Sequence, residues 1–169
     1  MKYTVLAVVL AAAALAADPF YLGTWKIDSA VVGPWWNSPG KPDESQCKTL
    51  VGKTIAITPS AVLGPGIMGC KGPKYKVVTI PPEGLFQGVF EEMLRADKSV
   101  DPAKLAAKLG FTGKTSKSLQ TGCSNELDFH FVDPNTAEFA LSNYVYTFRM
   151  PWGTASSSSR SCAPGGRRW

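Results

Sequence analysis

Beyond residue 17, the apolar side chains fall mostly on every second position. Residues 18–28 set Leu22, Thr24 and Lys26 against Gly23, Trp25 and Ile27, the alternation of a strand. Thr54 to Thr58 repeats the pattern with Ile55 and Ile57 on one side, and Tyr75 to Ile80 makes a third strand that Pro81-Pro82 ends. Leu85 to Val89 reads as a fourth strand, or as an extended arm leading into a helical region. The second half is a meander. Leu119, Thr121 and Cys123 alternate, and Leu127, Phe129 and Phe131 then oppose Asp128 and His130. After a turn at Asp133-Pro134-Asn135 come Ala137, Phe139 and Leu141 against Glu138 and Ala140. Ser142-Asn143 reads as a bulge, beyond which Tyr144, Tyr146 and Phe148 oppose Val145, Thr147 and Arg149. One apolar and one polar face per strand is the pattern of an antiparallel sheet with one side in water.

A helical period holds only over residues 91–110. Its better half begins at Asp101 as N-cap, with Pro102 at the first helical position, an apolar stripe through Leu105 and Leu109, and Gly110 as the stop. Residues 30–45 carry Gly33-Pro34-Trp35-Trp36 and a Pro- and Gly-rich run, which excludes a long helix or a central strand there. Seven or eight strands in meander order, one short helix and no βαβ unit define a mainly β fold. The expected form is a small antiparallel β-barrel, with a β-sandwich as the alternative.

Residues 1–16 stand outside this pattern. Met1-Lys2-Tyr3 precedes an apolar run from Thr4 to Leu15, and Ala14-Leu15-Ala16 places small residues where a signal peptidase cuts. The run is too short to cross a bilayer, and no later stretch of the 169 residues approaches the length needed. The expectation is a signal peptide over 1–16, one antiparallel β domain over 17–150, and a flexible Ser-, Gly- and Arg-rich tail over 151–169. Such a chain is exported, to a periplasm or the exterior. Its formal net charge of +5, less Lys2, is too mild to imply a nucleic-acid partner.

Cys47, Cys70, Cys123 and Cys162 all follow the signal segment. Four cysteines in an exported chain read as two disulfides, and three connectivities are open to the sequence. Cys70 and Cys123 lie close to predicted strands and suit a bridge across the core, which leaves Cys162 in the tail for Cys47. Their wide spacing lacks the close thiolate pairs of a zinc site, so neither a metal nor a cofactor is implied.

Gly23-Thr24-Trp25 on the first strand, the run of antiparallel strands, and Arg149 at the end of the last strand resemble the calycin group of barrels, lipocalins and avidin among them. The resemblance implies a barrel in which Trp25 closes one end and Arg149 packs over its indole. The helix falls between middle strands here, whereas lipocalins place theirs near the C-terminus.

Little in the chain points to covalent chemistry. Gly52-Lys53-Thr54 and Gly113-Lys114-Thr115 end like phosphate-binding loops, but Cys47 and Lys108 stand where the first glycine belongs. His130, the single histidine, alternates outward to the expected wet face beside Asp128. No catalytic residue is assigned. Rings are abundant, and Trp25, Trp35, Trp36, Tyr75, Phe90 and Tyr146, with Arg149, form the candidate ligand-binding set. The primary reading is an exported, non-enzymatic protein holding a small apolar or amphipathic molecule in an aromatic-lined barrel. One alternative is a cell-envelope interaction or inhibitor module that docks through the Trp35-Trp36 loop, since Trp concentrates interface energy. A small hydrolase is the other. Lys71, Lys74 and Lys76 add a basic strip suited to an anionic envelope component.

Overall fold

A computed structural model describes residues 19–40, 42–151 and 162–163. The expected signal segment and most of the expected tail lie outside the described residues. Those described form β1 (Gly23–Val32), α1 (Ser45–Leu50), β2 (Thr54–Thr58), β3 (Ala61–Leu63), β4 (Cys70–Lys71), β5 (Lys76–Ile80), α2 (Leu85–Ala96), α3 (Pro102–Lys108), β6 (Ser116–Gln120), β7 (Asp128–Asp133), β8 (Thr136–Leu141), β9 (Tyr144–Arg149) and β10 (Cys162–Ala163). Nine strands run antiparallel in the order β4-β3-β2-β1-β9-β8-β7-β6-β5, and β10 lies parallel beside Ala30 and Val31 of β1. Among the described residues no helix is long and apolar enough to cross a membrane.

The sheet is curled but open, a half-barrel whose edges are β4 and β5. Gly64-Pro65-Gly66 and Gly72-Pro73 cut β3 and β4 to three and two residues, so neither offers a ladder for β5. Other contacts bridge the gap. A disulfide joins Cys70 on β4 to Cys123 beyond β6, the Tyr75 hydroxyl donates to the Thr58 carbonyl at 2.9 Å, and the Asn125 amide donates to the Ile67 carbonyl at 2.7 Å. The second disulfide, Cys47–Cys162, ties α1 to β10. Both pairings are those expected, Cys70–Cys123 from strand proximity and Cys47–Cys162 as the remaining pair, and two disulfides fit an oxidising, non-cytoplasmic compartment.

The concave side is the main core. Trp25 and Ile27 of β1, Ile55 and Ile57 of β2, Phe129 of β7, Phe139 of β8, and Tyr146 and Phe148 of β9 are all essentially inaccessible to solvent. Their rings touch one another: Phe148 lies 5.1 Å from both Trp25 and Phe129, and Tyr146 stacks on Phe139 at 5.0 Å. Rings occupy the space that the barrel reading left for a ligand.

The outer face is wet over the start of β1 and β2, where Thr24, Lys26 and Thr54 are exposed, but it is covered where a wet face was expected on β7 to β9. Helices α2 and α3 lie against it and bury a second core in which Leu85, Phe86, Phe90 and Ala106 pack on Val145, with Val31, Val132 and Ala140 at its margin. Three helices thus replace the single one expected. Leu85–Val89, read as a strand, opens α2, because its Leu, Phe and Val side chains serve a helix that needs a sheet beneath it. The last residues of β1, Ala30 to Val32, fall inside the expected connector, and α1 begins at its final residue, Ser45. α3 follows the expectation closely: Asp101 accepts a hydrogen bond from the Lys104 N–H at 3.1 Å, and Gly110 takes φ +95° just beyond the helix. Ser142-Asn143 is a tight hairpin turn, with Leu141 and Tyr144 paired across it, instead of a bulge.

Candidate functional site

Where the Gly33-Pro34-Trp35-Trp36 turn, the start of α2 and the β8–β9 hairpin meet, a groove of about 320 Å³ opens to solvent. Trp35 forms one wall, its ring 6.0 Å from that of Phe86. Only glycine fits at position 33, because a Cβ there would stand 2.4 Å from the Trp35 ring carbons Cε2 and Cζ2.

Four non-glycine residues among those described adopt left-handed backbone: Phe86 at φ +52°, Gln87 at +59°, Glu126 at +54° and Ser142 at +54°. All four line this groove. Phe86, Gln87 and Gly88 are consecutive, so the first turn of α2 winds the wrong way before the regular helix begins. Each such residue costs about 1–2 kcal/mol, and strain of this kind gathers where a surface is shaped for a task.

Side chains from outside hold the strained segments. The Trp35 indole donates to the Ser142 carbonyl at 3.2 Å, and the Gln87 amide donates to the Glu126 carbonyl at 3.2 Å. The Phe86 N–H donates to His130 Nε2 at 3.0 Å. Three of the four residues are thus gripped at a backbone group by Trp35, Gln87 or His130, while Gln87 supplies one grip and sits in the strained turn itself.

His130 therefore has a structural task. It lies on the outer face but is buried under α2 with Ser118, whose hydroxyl is 2.7 Å from Nδ1. Because Nε2 accepts from Phe86, a neutral ring carries its proton on Nδ1 and donates to Ser118. That is the reverse of the polarity by which a histidine activates a serine nucleophile. Burial drives the His130 pKa down to about 3, so the ring is uncharged at neutral pH. Directly opposite His130 on β8 stands Glu138, also buried, with one carboxyl oxygen accepting from Thr147 at 3.1 Å and the other without a partner. Burial pushes its pKa up to about 8, with the Thr147 bond and the Arg149 charge opposing. The sequence reading had placed both side chains in water.

The seven expected ligand contacts are not gathered at one site. Trp25 and Tyr146 belong to the concave core, and Phe90 is buried between α2 and the sheet. Trp36 packs against the concave core and donates to the Gly40 carbonyl at 3.2 Å. Tyr75 braces the gap between the sheet edges. Arg149 pairs in register with Lys26, so it faces away from Trp25, and its guanidinium reaches Asp28 at 3.6 Å and Thr136 at 3.3 Å. The Trp25 indole instead packs among Phe131 and Phe148 and donates to the Tyr21 carbonyl at 3.0 Å. The stacking that the calycin resemblance implied is overturned by this parity, although β1 and β9 do lie side by side. Only Trp35 of the set lines the groove. Phe86, Gln87, Glu126 and Ser142 are not among the expected site residues, since the sequence carries no signal that left-handed backbone gathers them at one groove.

Fold and site together describe a disulfide-tied β half-barrel with a strained surface groove. No family model, curated protein or solved structure matches the chain.

Proposed function

We propose that the protein is an exported interaction module that docks a partner protein in the groove beside Trp35. The observation that carries this reading is the concentration of all four described left-handed non-glycine residues on that one groove. Filled packing of the concave side supports it further, because the aromatic lining expected for a small ligand is used up in ring–ring contacts. Trp35, half-buried and fixed by its bond to Ser142, offers a rigid anchor that loses little freedom on binding. The signal segment and the two disulfides support a periplasmic or secreted site of action. A calycin ancestry would account for β1 lying beside β9 and belongs to the same proposal.

Native mass spectrometry of the protein purified from its own host, before and after organic extraction, tests this reading. A co-purifying polypeptide at fixed stoichiometry, lost in a Trp35→Ala variant, is the expected result. Absence of any co-purifying polypeptide, or one retained at the same stoichiometry in Trp35→Ala, would overturn it.

A further inference from the structure

A second cleft, between the segment that follows α3 and the β7–β8 turn, shares no lining residue with the groove. It encloses about 420 Å³, within the range of pockets that take small molecules. Its floor and one wall are aromatic. Phe111 and Phe131 are almost wholly buried, whereas Phe20 is 37% exposed and stands edge-on to Phe131 at 4.8 Å. Phe20 is thus one of the few large apolar side chains left open to water, and it is open toward this cleft.

The opposite rim is the segment 110–117, a loop running into the start of β6, whose Gly113-Lys114-Thr115 resembled the end of a phosphate-binding loop. Lys117 carries its ammonium 5.2 Å above the Phe20 ring and lines the cleft, with Thr112, Thr115 and Ser116 beside it. Gly113 permits the tight path, since a Cβ there would come within 3.1 Å of the Thr115 carbonyl oxygen. Asp133 also lines the cleft, but its carboxylate already accepts the Asn135 N–H at 2.8 Å within the β7–β8 turn. A cation over an exposed ring, hydroxyls on one side and ring faces on the other make a cleft with one cationic corner and one apolar body, the Asp133 carboxylate being engaged at the β7–β8 turn.

We infer that this cleft binds a small monoanion carried on a ring system. The acidic group pairs with Lys117 and the rings pack against Phe20 and Phe131. The aromatic wall favours a ring over a bare inorganic anion, which would leave that wall in water. The lysine favours an anion over a neutral ring, which would displace water from the ammonium without replacing its bonds.

The probe is 8-anilinonaphthalene-1-sulfonate, compared with N-phenyl-1-naphthylamine, which has the same rings and no sulfonate. The expected result is saturable binding of the sulfonate at one site, at least tenfold tighter than that of the neutral amine and weakened by salt. Lys117→Gln and Phe20→Ala should each lower sulfonate affinity by about tenfold, with circular dichroism unchanged. Lys53→Gln and Trp35→Ala should leave it as it was. Equal affinity for the two probes, or loss of binding in Trp35→Ala but not in Lys117→Gln, would overturn the assignment. So would the lack of saturable binding. The Trp35 arm keeps this test separate from the docking groove, whose proposal stands or falls on its own partner.

Discussion

Glu138 and His130 face each other across β8 and β7, and burial moves their protonation in opposite directions along the pH axis. His130 is uncharged in the fold down to about pH 3, while an unfolded chain binds that proton below an ordinary value near 6.5. Its contribution is therefore complete above pH 6.5 and is lost as pH falls toward 3. Glu138 keeps its proton in the fold up to about pH 8, while an unfolded chain releases it above about 4.5. Its contribution is complete below pH 4.5 and is lost as pH rises toward 8. Between pH 4.5 and 6.5 the two slopes cancel, each being about 1.4 kcal/mol per pH unit. Urea midpoints measured from pH 3 to 9 should show a plateau across that window with a fall on either side, and Glu138→Gln should remove the alkaline fall and, with no opposing slope left, turn the plateau into a rise up to about pH 6.5. A midpoint that climbs steadily to pH 8 would refute the buried, protonated Glu138. Gly33 gives a second test at this scale. Its missing Cβ is what lets the Trp35 ring lie on the backbone, so Gly33→Ala should cost about 1–3 kcal/mol and shift the near-ultraviolet dichroism of that indole. An unchanged spectrum and stability would mean that the ring is not seated there.

At the scale of elements, the sequence was legible where one local rule decided the outcome. β2 matches the residues expected, the Asp133-Pro134-Asn135 turn joins β7 to β8, and α3 starts and stops at its Asp101 and Gly110 signals. It was illegible where a second layer was needed. The polar positions Ser118, His130, Glu138 and Thr147 alternate as a wet face would, yet the first three are buried, and the four pair with one another by cross-strand hydrogen bonds, Ser118 with His130 and Thr147 with Glu138. Period-two patterning records which residues share a face and says nothing about what covers it. Edges are a similar case. The turns that shorten β3 and β4 were visible in the sequence, but their effect, an open seam held by Cys70–Cys123, was not. That bridge closes a separation of 53 residues, which corresponds to about 4 kcal/mol of chain entropy. Replacing both cysteines by alanine should lower stability by about that amount, and hydrogen exchange should rise in β3, β4 and β5 while β8 and β9 stay protected. Uniform loss of protection across the sheet would show that the seam is not the weak line.

Over the whole molecule, the rings that suggested a lined cavity instead fill the concave core with contacts to one another. Trp25, Phe129, Phe139, Tyr146 and Phe148 converge from four strands and pack edge to face or stacked. The proposed docking surface lies outward, in a groove that Trp35 walls and that four left-handed residues line. The candidate site was legible in the sequence only through Trp35, the single expected contact that lines it. Site-specific photocrosslinking in the native host tests the docking claim most directly, with a photoreactive residue placed at Val89 in the groove or at Thr49 on α1 as the comparison. The account expects one discrete crosslinked polypeptide from position 89, none from position 49, and loss of that product when Trp35→Ala is added without change in fold. Equal labelling from both positions, or a product indifferent to Trp35→Ala, would contradict it.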